Sequence, residues 1–103
     1  MEIRQYTTTS GKSVFGAWID ALKDVRAAAR IAARLDRLAA GKAVGGGISE
    51  LRVDCGPGYR IYYAVVNKKV VLLLCGGDKN RQQRDIASAM EYLKDYKHRS
   101  KEP

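Results

Sequence analysis

The chain has 103 residues, 46% of them hydrophobic and 29% charged, which is the size and composition of one globular domain and leaves no room for a second. No apolar run approaches the roughly 18 residues of a membrane span, and the first residues lack the layout of a secretory signal. We therefore expect a soluble, cytoplasmic protein with no membrane partner. The formal net charge of +8 favours anionic partners through long-range attraction and counterion release, which indicates nucleic acid, the ribosome or an acidic protein.

The first part of the chain predicts a short strand and two helices. Residues 2–6 are typical of an edge strand. After Ser13 the apolar residues recur at the spacing of an amphipathic helix, and they are Val14, Phe15, Trp18, Ile19 and Leu22. Asp24 is placed to cap a second helix that Gly41 ends, and its apolar stripe is Ala28, Ile31, Leu35 and Leu38.

The second helix also carries a regular row of cations away from its apolar stripe. The row consists of Arg26, Arg30, Arg34 and Arg37, within an arc of about 80°. Such a row is usually the solvated face of an amphipathic helix. The alternative is a docking surface for RNA or for an acidic partner.

Three strands follow a loose glycine connector at residues 45–47. The strands are predicted at residues 48–54, 59–66 and 70–75, because these segments alternate or are rich in β-branched and aromatic residues. Gly56-Pro57-Gly58 and Asn67-Lys68-Lys69 are the turns that make the three strands antiparallel.

A last helix opens near Asn80, which forms a capping-box pattern with Gln83. Its buried stripe is predicted to contain Ile86, Ala89, Met90 and Leu93. Residues 97–103 are polar and predicted to form a flexible tail. The fold class is thus α+β in the order β-α-α-β-β-β-α, as one domain over residues 1–103, with a mainly antiparallel four-stranded sheet, an N-terminal helical hairpin and a C-terminal helix.

Arg60 lies in the middle of a predicted strand and shares its face with uncharged residues, namely Tyr62, Ala64 and Val66. A charge inside a sheet is costly unless a partner or a ligand compensates it. One interpretation is a cross-strand ion pair with Glu50 or Asp54. The other is a binding site for an anion.

Three cations surround the predicted start of the last helix, and they are Lys79, Arg81 and Arg84. Cations at this end oppose the helix dipole, whereas the free N–H groups there bind phosphate well. The pattern favours an anionic ligand and a solvated surface about equally.

Few other residues are candidates for binding or catalysis. Tyr62 is the better placed of the strand tyrosines to stack on a base, and Lys68 in the second turn is a further cation for nucleic acid. Cys55 and Cys75 lack metal-ligand spacing and are interpreted as structural thiols. The single histidine, His98, lies in the predicted tail, so we expect no metal site, no cofactor and no histidine-based nuclease.

Two blocks of sequence together resemble one family. Residues 50–63 read ELRVDCGPGYRIYY and residues 72–79 read LLLCGGDK, with Gln83 and Asp85-Ile86 following. They are similar to the RelE/ParE toxin superfamily, and more narrowly to its addiction module killer protein branch, close to the HigB-type toxins. The resemblance implies a toxin of a type II toxin–antitoxin system, neutralised by an antitoxin, often of the helix-turn-helix type, encoded by an adjacent gene. It also implies metal-independent cleavage of messenger RNA on the ribosome, in which the 2′-hydroxyl of the RNA attacks the neighbouring phosphate.

The resemblance implies roles for individual residues. Arg60 matches the arginine that contacts the scissile phosphate, Lys79 matches the lysine after the last strand, and Arg52 matches a basic position in the preceding strand. The chain departs from the pattern at Ile86, where RelE has a catalytic tyrosine, and at Glu50, where a lysine is common.

Because of these departures the general acid and base are not identified, and the nominees are Lys79, Arg81 and Glu50. The catalytic set expected from the sequence is Arg60, Lys79 and Arg81, and the set for nucleic-acid contacts is Arg52, Tyr62, Lys68 and Arg84. Two alternatives to an endoribonuclease remain open, a non-enzymatic DNA gyrase poison of the ParE kind and a basic RNA-binding or partner-binding domain without toxicity.

Overall fold

The computed structural model describes residues 2–35 and 41–100. Its helices are α1 (Val14–Ala21), α2 (Val25–Leu35) and α3 (Gln82–Ser100). Its strands are β1 (Glu2–Gln5), β2 (Lys42–Gly45), β3 (Ile48–Val53), β4 (Tyr59–Val66) and β5 (Val70–Asp78). The predicted α+β class and the order of the predicted elements are confirmed.

The five strands form one sheet in the order β1-β5-β4-β3-β2. β1 runs parallel to β5 and the other neighbours are antiparallel. The sequence predicted four strands, and the fifth, β2, precedes the connector at residues 45–47 that was expected to be loose and shares only Gly45 with it. Gly46 and Gly47 adopt positive φ angles of 62° and 81°, which lets the chain turn tightly enough for β2 to pair with β3.

The sheet separates two hydrophobic clusters. Under α1 and α2 the cluster is almost entirely apolar, with Phe15, Ile31, Leu51, Val53, Ile61, Tyr63, Val71 and Leu73. Under α3 it contains Tyr6, Ile48, Tyr62, Ala64, Leu72, Leu74, Cys75, Ala89 and Leu93. Leu74 and Cys75 follow each other and yet belong to the same cluster, because a bulge shifts the pairing of β5 with β4 between Tyr62 and Tyr63.

The helix ends agree with the sequence in part. Asp24 caps α2 as predicted, its Oδ1 accepting hydrogen bonds from the backbone N–H groups of Arg26 and Ala27 at 3.0 and 3.2 Å. The cap of the last helix is Asp78 rather than Asn80, because a short 3-10 turn over Lys79–Arg81 precedes α3.

α3 is longer than the sequence predicted. It continues to Ser100, through part of the predicted tail, and residues 101–103 lie outside the described ranges. Asp95 joins this end of the helix to the residue that follows β1, because it accepts a hydrogen bond from the Tyr6 hydroxyl at 2.6 Å. Within α3 it also pairs with Arg99 at 2.8 Å. Tyr6 also stacks on Tyr92. In the described residues no helix is both long and apolar enough to cross a membrane.

Candidate functional site

Two arginines face each other across the β3–β4 pair. The register places Arg52 directly opposite Arg60, an arrangement in which like charges destabilise a sheet. Glu50 offsets that repulsion, since its Oε1 accepts from the Nε of Arg52 at 2.9 Å and from the Nε of Arg60 at 3.1 Å. The sheet register therefore creates the charge conflict, and one carboxylate resolves it.

Glu50 is the buried member of this cluster and is only 2% exposed. Its second oxygen accepts from the side-chain amide of Gln82, at the start of α3, at 3.1 Å. Both oxygens of this buried carboxylate accept from side chains of the protein, three donors in all. The sequence-based nomination of Glu50 as an acid or base toward a substrate is therefore not supported, and its role is to hold the two arginines.

A pocket of about 340 Å³ opens beside this cluster, and Arg52, Arg60 and Lys79 line it together with the loop of residues 54–59. The Arg60 side chain is 14% exposed and that of Arg52 is 58% exposed. Each arginine uses its Nε on Glu50, so the planar guanidinium still carries terminal N–H donors that suit the oxygens of a phosphate. The charged groups here are two guanidinium groups, one ammonium, and the carboxylates of Glu50 and Asp54. The pocket therefore keeps a net positive charge.

The glycine-proline-glycine loop forms the rim of this cationic pocket. Gly58 has a φ of 84°, a conformation that a residue with a side chain adopts only with strain. Its carbonyl oxygen accepts from the backbone N–H of Lys79 at 3.1 Å. The loop and the start of the 3-10 turn are therefore joined, which brings Lys79 next to the arginines of β3 and β4.

Asp54 is a functional candidate that the sequence reasoning treated only as a structural partner of Arg60. It is exposed and lines the cationic pocket, whereas the ion pair with Arg60 is made by Glu50. The sequence feature that could have identified Asp54 is its position between the end of β3 and the glycine-proline-glycine loop. A carboxylate and an ammonium in one pocket can accept and donate protons.

The other two cations near α3 lie in a different cleft. Arg81 and Arg84 line a space of about 540 Å³ with Trp18, Tyr59 and Tyr92. The cleft and the cationic pocket share only Pro57 and Tyr59. Lys79 and Arg81, both in the 3-10 turn, thus line two neighbouring spaces rather than one.

The predicted phosphate site at the start of the last helix already has an acceptor. Asp78 Oδ1 accepts from the backbone N–H of Asn80 at 3.0 Å. The carboxylate therefore satisfies a helix-terminal donor that a phosphate would need.

Asp85 lies at the base of the cleft, where its Oδ2 is buried against Gly77 with no hydrogen-bond partner in the described chain. Burial raises the pKa of this carboxyl, and Arg81 opposes the rise. The Cys75 thiol donates to the Asp85 carbonyl oxygen at 3.5 Å, and burial raises its pKa to about 12. Cys75 is therefore protonated at neutral pH, as expected of a structural thiol.

Two of the residues predicted to contact nucleic acid, Tyr62 and Lys68, do not line the cationic pocket. Tyr62 is 0% exposed in the cluster under α3, so it cannot stack on a base, because the face it shares with Arg60 is covered by α3. Lys68 lies in the turn between β4 and β5, beyond the end of β4, which runs about 20 Å from Arg60 to Val66 at 3.3 Å per residue. The sequence could not separate these positions, since alternation shows which residues share a face and not which face is covered.

Comparison with known proteins gives the family. The model of the family described as phage derived protein Gp49-like (DUF891) matches residues 17–98, which include every residue of the cationic pocket. An uncharacterised protein of Haemophilus influenzae is 49% identical over 80 residues, covering 73% of this chain and 81% of its own. The chain belongs to the Gp49-like family of phage-derived proteins.

Proposed function

We propose that this protein is the toxin of a type II toxin–antitoxin system and that it inhibits translation by cleaving messenger RNA on the ribosome without a metal ion. The observation that carries the proposal is the cationic pocket, in which a buried carboxylate holds two facing arginines beside a lysine. Such a site binds a phosphodiester and stabilises the additional negative charge that develops when the phosphorus is attacked.

The two arginines have the roles of electrostatic stabilisers. Arg60 is mostly buried and fixed by Glu50, so its guanidinium is oriented before the substrate binds, and a preorganised donor loses little free energy on reorganisation. Arg52 is more exposed and suits a second oxygen or the next phosphate. Arg60 is therefore the residue on which cleavage depends most.

Proton transfer in the proposed reaction uses the two remaining groups of the pocket. The 2′-oxygen of the RNA attacks the adjacent phosphorus and the 5′-oxygen of the next nucleotide leaves, which produces a cyclic phosphate. Asp54 accepts the proton of the 2′-hydroxyl, and Lys79 donates a proton to the leaving 5′-oxygen. Every atom is supplied by the RNA and these two side chains.

The proposed partners follow from the same function. The resemblance to the RelE/ParE superfamily implies a cognate antitoxin of the helix-turn-helix type from an adjacent gene, and the ribosome as the place of action. A helix-turn-helix reading frame next to this one and a stable complex of the two purified proteins are the expected observations.

The test is induction of the protein in a bacterial host, with growth and messenger RNA followed together. We expect growth arrest with cleaved messenger RNA for the wild type, and a loss of cleavage rate of about 10²–10³ for Arg60→Ala. Arg60→Lys retains the charge but not the planar fork and should remain defective. Lys94→Ala is the matched control, because it removes an exposed cation that does not line the pocket.

Three results would reject this proposal. They are cleavage by Arg60→Ala at the wild-type rate, DNA damage signalling with intact messenger RNA, which would select a gyrase poison, and harmless high-level expression of the wild type, which would select a binding domain without toxicity.

A further inference from the structure

The row of arginines on α2 borders the cationic pocket. Asp24, which caps α2, lies beside Gly56 of the pocket loop, and Arg30 reaches the backbone carbonyl of Asp54 at 3.5 Å. Both Gly56 and Asp54 line the pocket. The row formed by Arg26, Arg30 and Arg34, called the α2 arginine row below, is therefore continuous with the proposed phosphate site, and Arg37 lies outside the described residues.

The α2 arginine row has no counterion in the described structure. All three arginines are exposed, and none of the ion pairs found among the described residues involves them. α2 itself contains no acidic residue. Arg26 also lies in the first turn, where a cation opposes the helix dipole. Arg34 lies in the last turn, where the dipole favours a cation, but successive arginines four residues apart repel one another along the row. An anionic ligand would relieve that repulsion.

The spacing of the row suits a polyanion with a regular repeat. Successive arginines are four residues apart and advance about 6 Å along the helix axis, which is comparable to the distance between neighbouring phosphates on one nucleic-acid strand. Arginine also binds phosphate in a bidentate manner. The residues between the arginines are alanines and the buried Ile31, so between them the row presents none of the exposed aromatic side chains that pack at the centre of many protein interfaces.

We propose that the α2 arginine row binds the backbone of the RNA strand on one side of the phosphate that occupies the cationic pocket. This inference rests on the proposed function and extends it by giving the path of the RNA across the protein. The pocket holds the reacting phosphate, whereas Arg26, Arg30 and Arg34 bind phosphates that do not react, independently of base sequence.

The test measures RNA binding as a function of length and salt. The probes are a trinucleotide and a dodecanucleotide of 2′-O-methyl RNA, which the attack of a 2′-hydroxyl cannot cleave. The proteins are the full-length wild type, the triple variant Arg26→Gln/Arg30→Gln/Arg34→Gln, and a control, Lys69→Gln/Lys94→Gln/Lys97→Gln, that removes the same charge from exposed positions away from α2. Glutamine is a good helix former, and circular dichroism checks that each variant is folded.

For the dodecanucleotide, the dependence of log K on log salt should be shallower by about 2 in the triple variant, at roughly 0.7 for each single-strand phosphate. A fourfold rise in salt should therefore weaken the wild type about sixteenfold more than the triple variant. Binding of the trinucleotide should change little, and the control should retain the wild-type slope.

Three results would overturn the inference. The first is a wild-type slope for the triple variant on the dodecanucleotide, and the second is an equal loss for both probes. The third is tighter binding of poly-glutamate than of the dodecanucleotide by the wild type, with this preference lost in the triple variant. That result would indicate an acidic protein partner. Failure of the proposed function would give a different result. RNA binding would still depend on the α2 arginine row, but Arg60→Gln would change neither RNA binding nor RNA cleavage.

Discussion

The two faces of the sheet bury different kinds of side chain. Under α1 and α2 the sheet buries an almost wholly apolar cluster. Under α3 the apolar cluster ends at Glu50, a buried carboxylate that holds two arginines at the edge of a pocket. The first face supplies stability alone, whereas the second accepts a buried charge in order to orient a cationic site. The two faces should therefore respond differently to substitution.

The largest effect is expected on the apolar face. Ile61 is 0% exposed, and Ile61→Ala should lower the free energy of unfolding by about 4 kcal/mol, because it removes buried methyl groups and leaves a cavity. Urea denaturation measures the change. Val65 lies on the same strand and is 48% exposed, so Val65→Ala is the control and should cost less than about 1 kcal/mol. Similar losses at both positions would contradict the assignment of this face as the core.

The sequence predicted much of this contrast, because apolar periodicity depends only on local spacing. The α1 residues Phe15 and Trp18 and the α2 residue Ile31 were identified in this way, and they contribute to the cluster under α1 and α2. An ion pair between Glu50 and Arg60 was also one of the two interpretations of that strand.

The remaining features depend on geometry that a single sequence does not contain. The pairing of Glu50 with both arginines requires the β3–β4 register, which alternation within one strand does not determine. The separation of Lys79 from Arg81 requires the 3-10 turn. The pairing of β2 requires three consecutive glycines to adopt positive φ angles, whereas their composition alone indicated a loose connector.

On the face of the sheet under α3, removal of the Glu50 carboxylate should lower the free energy of unfolding nearly as much as the loss of a core side chain. Glu50→Leu leaves Arg52 and Arg60 facing each other without a counterion, and we expect a loss of about 3 kcal/mol in the free energy of unfolding. Urea denaturation at low and high salt measures it.

A double variant separates charge from packing at this position. Glu50→Leu/Arg60→Leu removes the uncompensated arginine and should recover a large part of the loss. The same double variant should be inactive in RNA cleavage. If Glu50→Leu were as stable as the wild type, the carboxylate would not be what holds the arginines, and the contrast between the two faces would disappear.

A smaller effect of opposite sign is expected at Asp85. Burial raises the pKa of its carboxyl in the folded protein above the unfolded value of about 3.9. The folded state therefore binds the proton more tightly, so the group favours folding below the unfolded pKa and loses this contribution as the pH rises through the folded pKa. At pH 7 Asp85→Asn should raise Tm by about 2–4 °C. The gain is limited because a carboxylate in the first turn of α3 also interacts favourably with the helix dipole.

The pH dependence distinguishes this cause from a change in packing. Thermal unfolding of both proteins at pH 3 and pH 7 should show the difference in Tm at pH 7 and none at pH 3, where Asp85 is protonated. Asp20 lies on exposed helix surface, and Asp20→Asn is the matched control. A stabilisation by Asp85→Asn of the same size at both pH values would mean that burial of the charge is not the cause.

The last comparison is between the two buried tyrosines under α3, and the smallest effect is expected at Tyr62. The hydroxyl of Tyr62 is buried with no hydrogen-bond partner in the described chain, and burial, aided by Glu50, raises its pKa. The hydroxyl of Tyr6 donates to Asp95 at 2.6 Å. Tyr62→Phe should therefore leave the free energy of unfolding within about 0.5 kcal/mol of the wild type or raise it, whereas Tyr6→Phe should lower it by about 1.5 kcal/mol, since its partner is charged. RNA binding should be unchanged in Tyr62→Phe, because a ring covered by α3 cannot reach a base. A marked loss of RNA affinity in this variant would show that α3 moves away from the sheet when RNA binds.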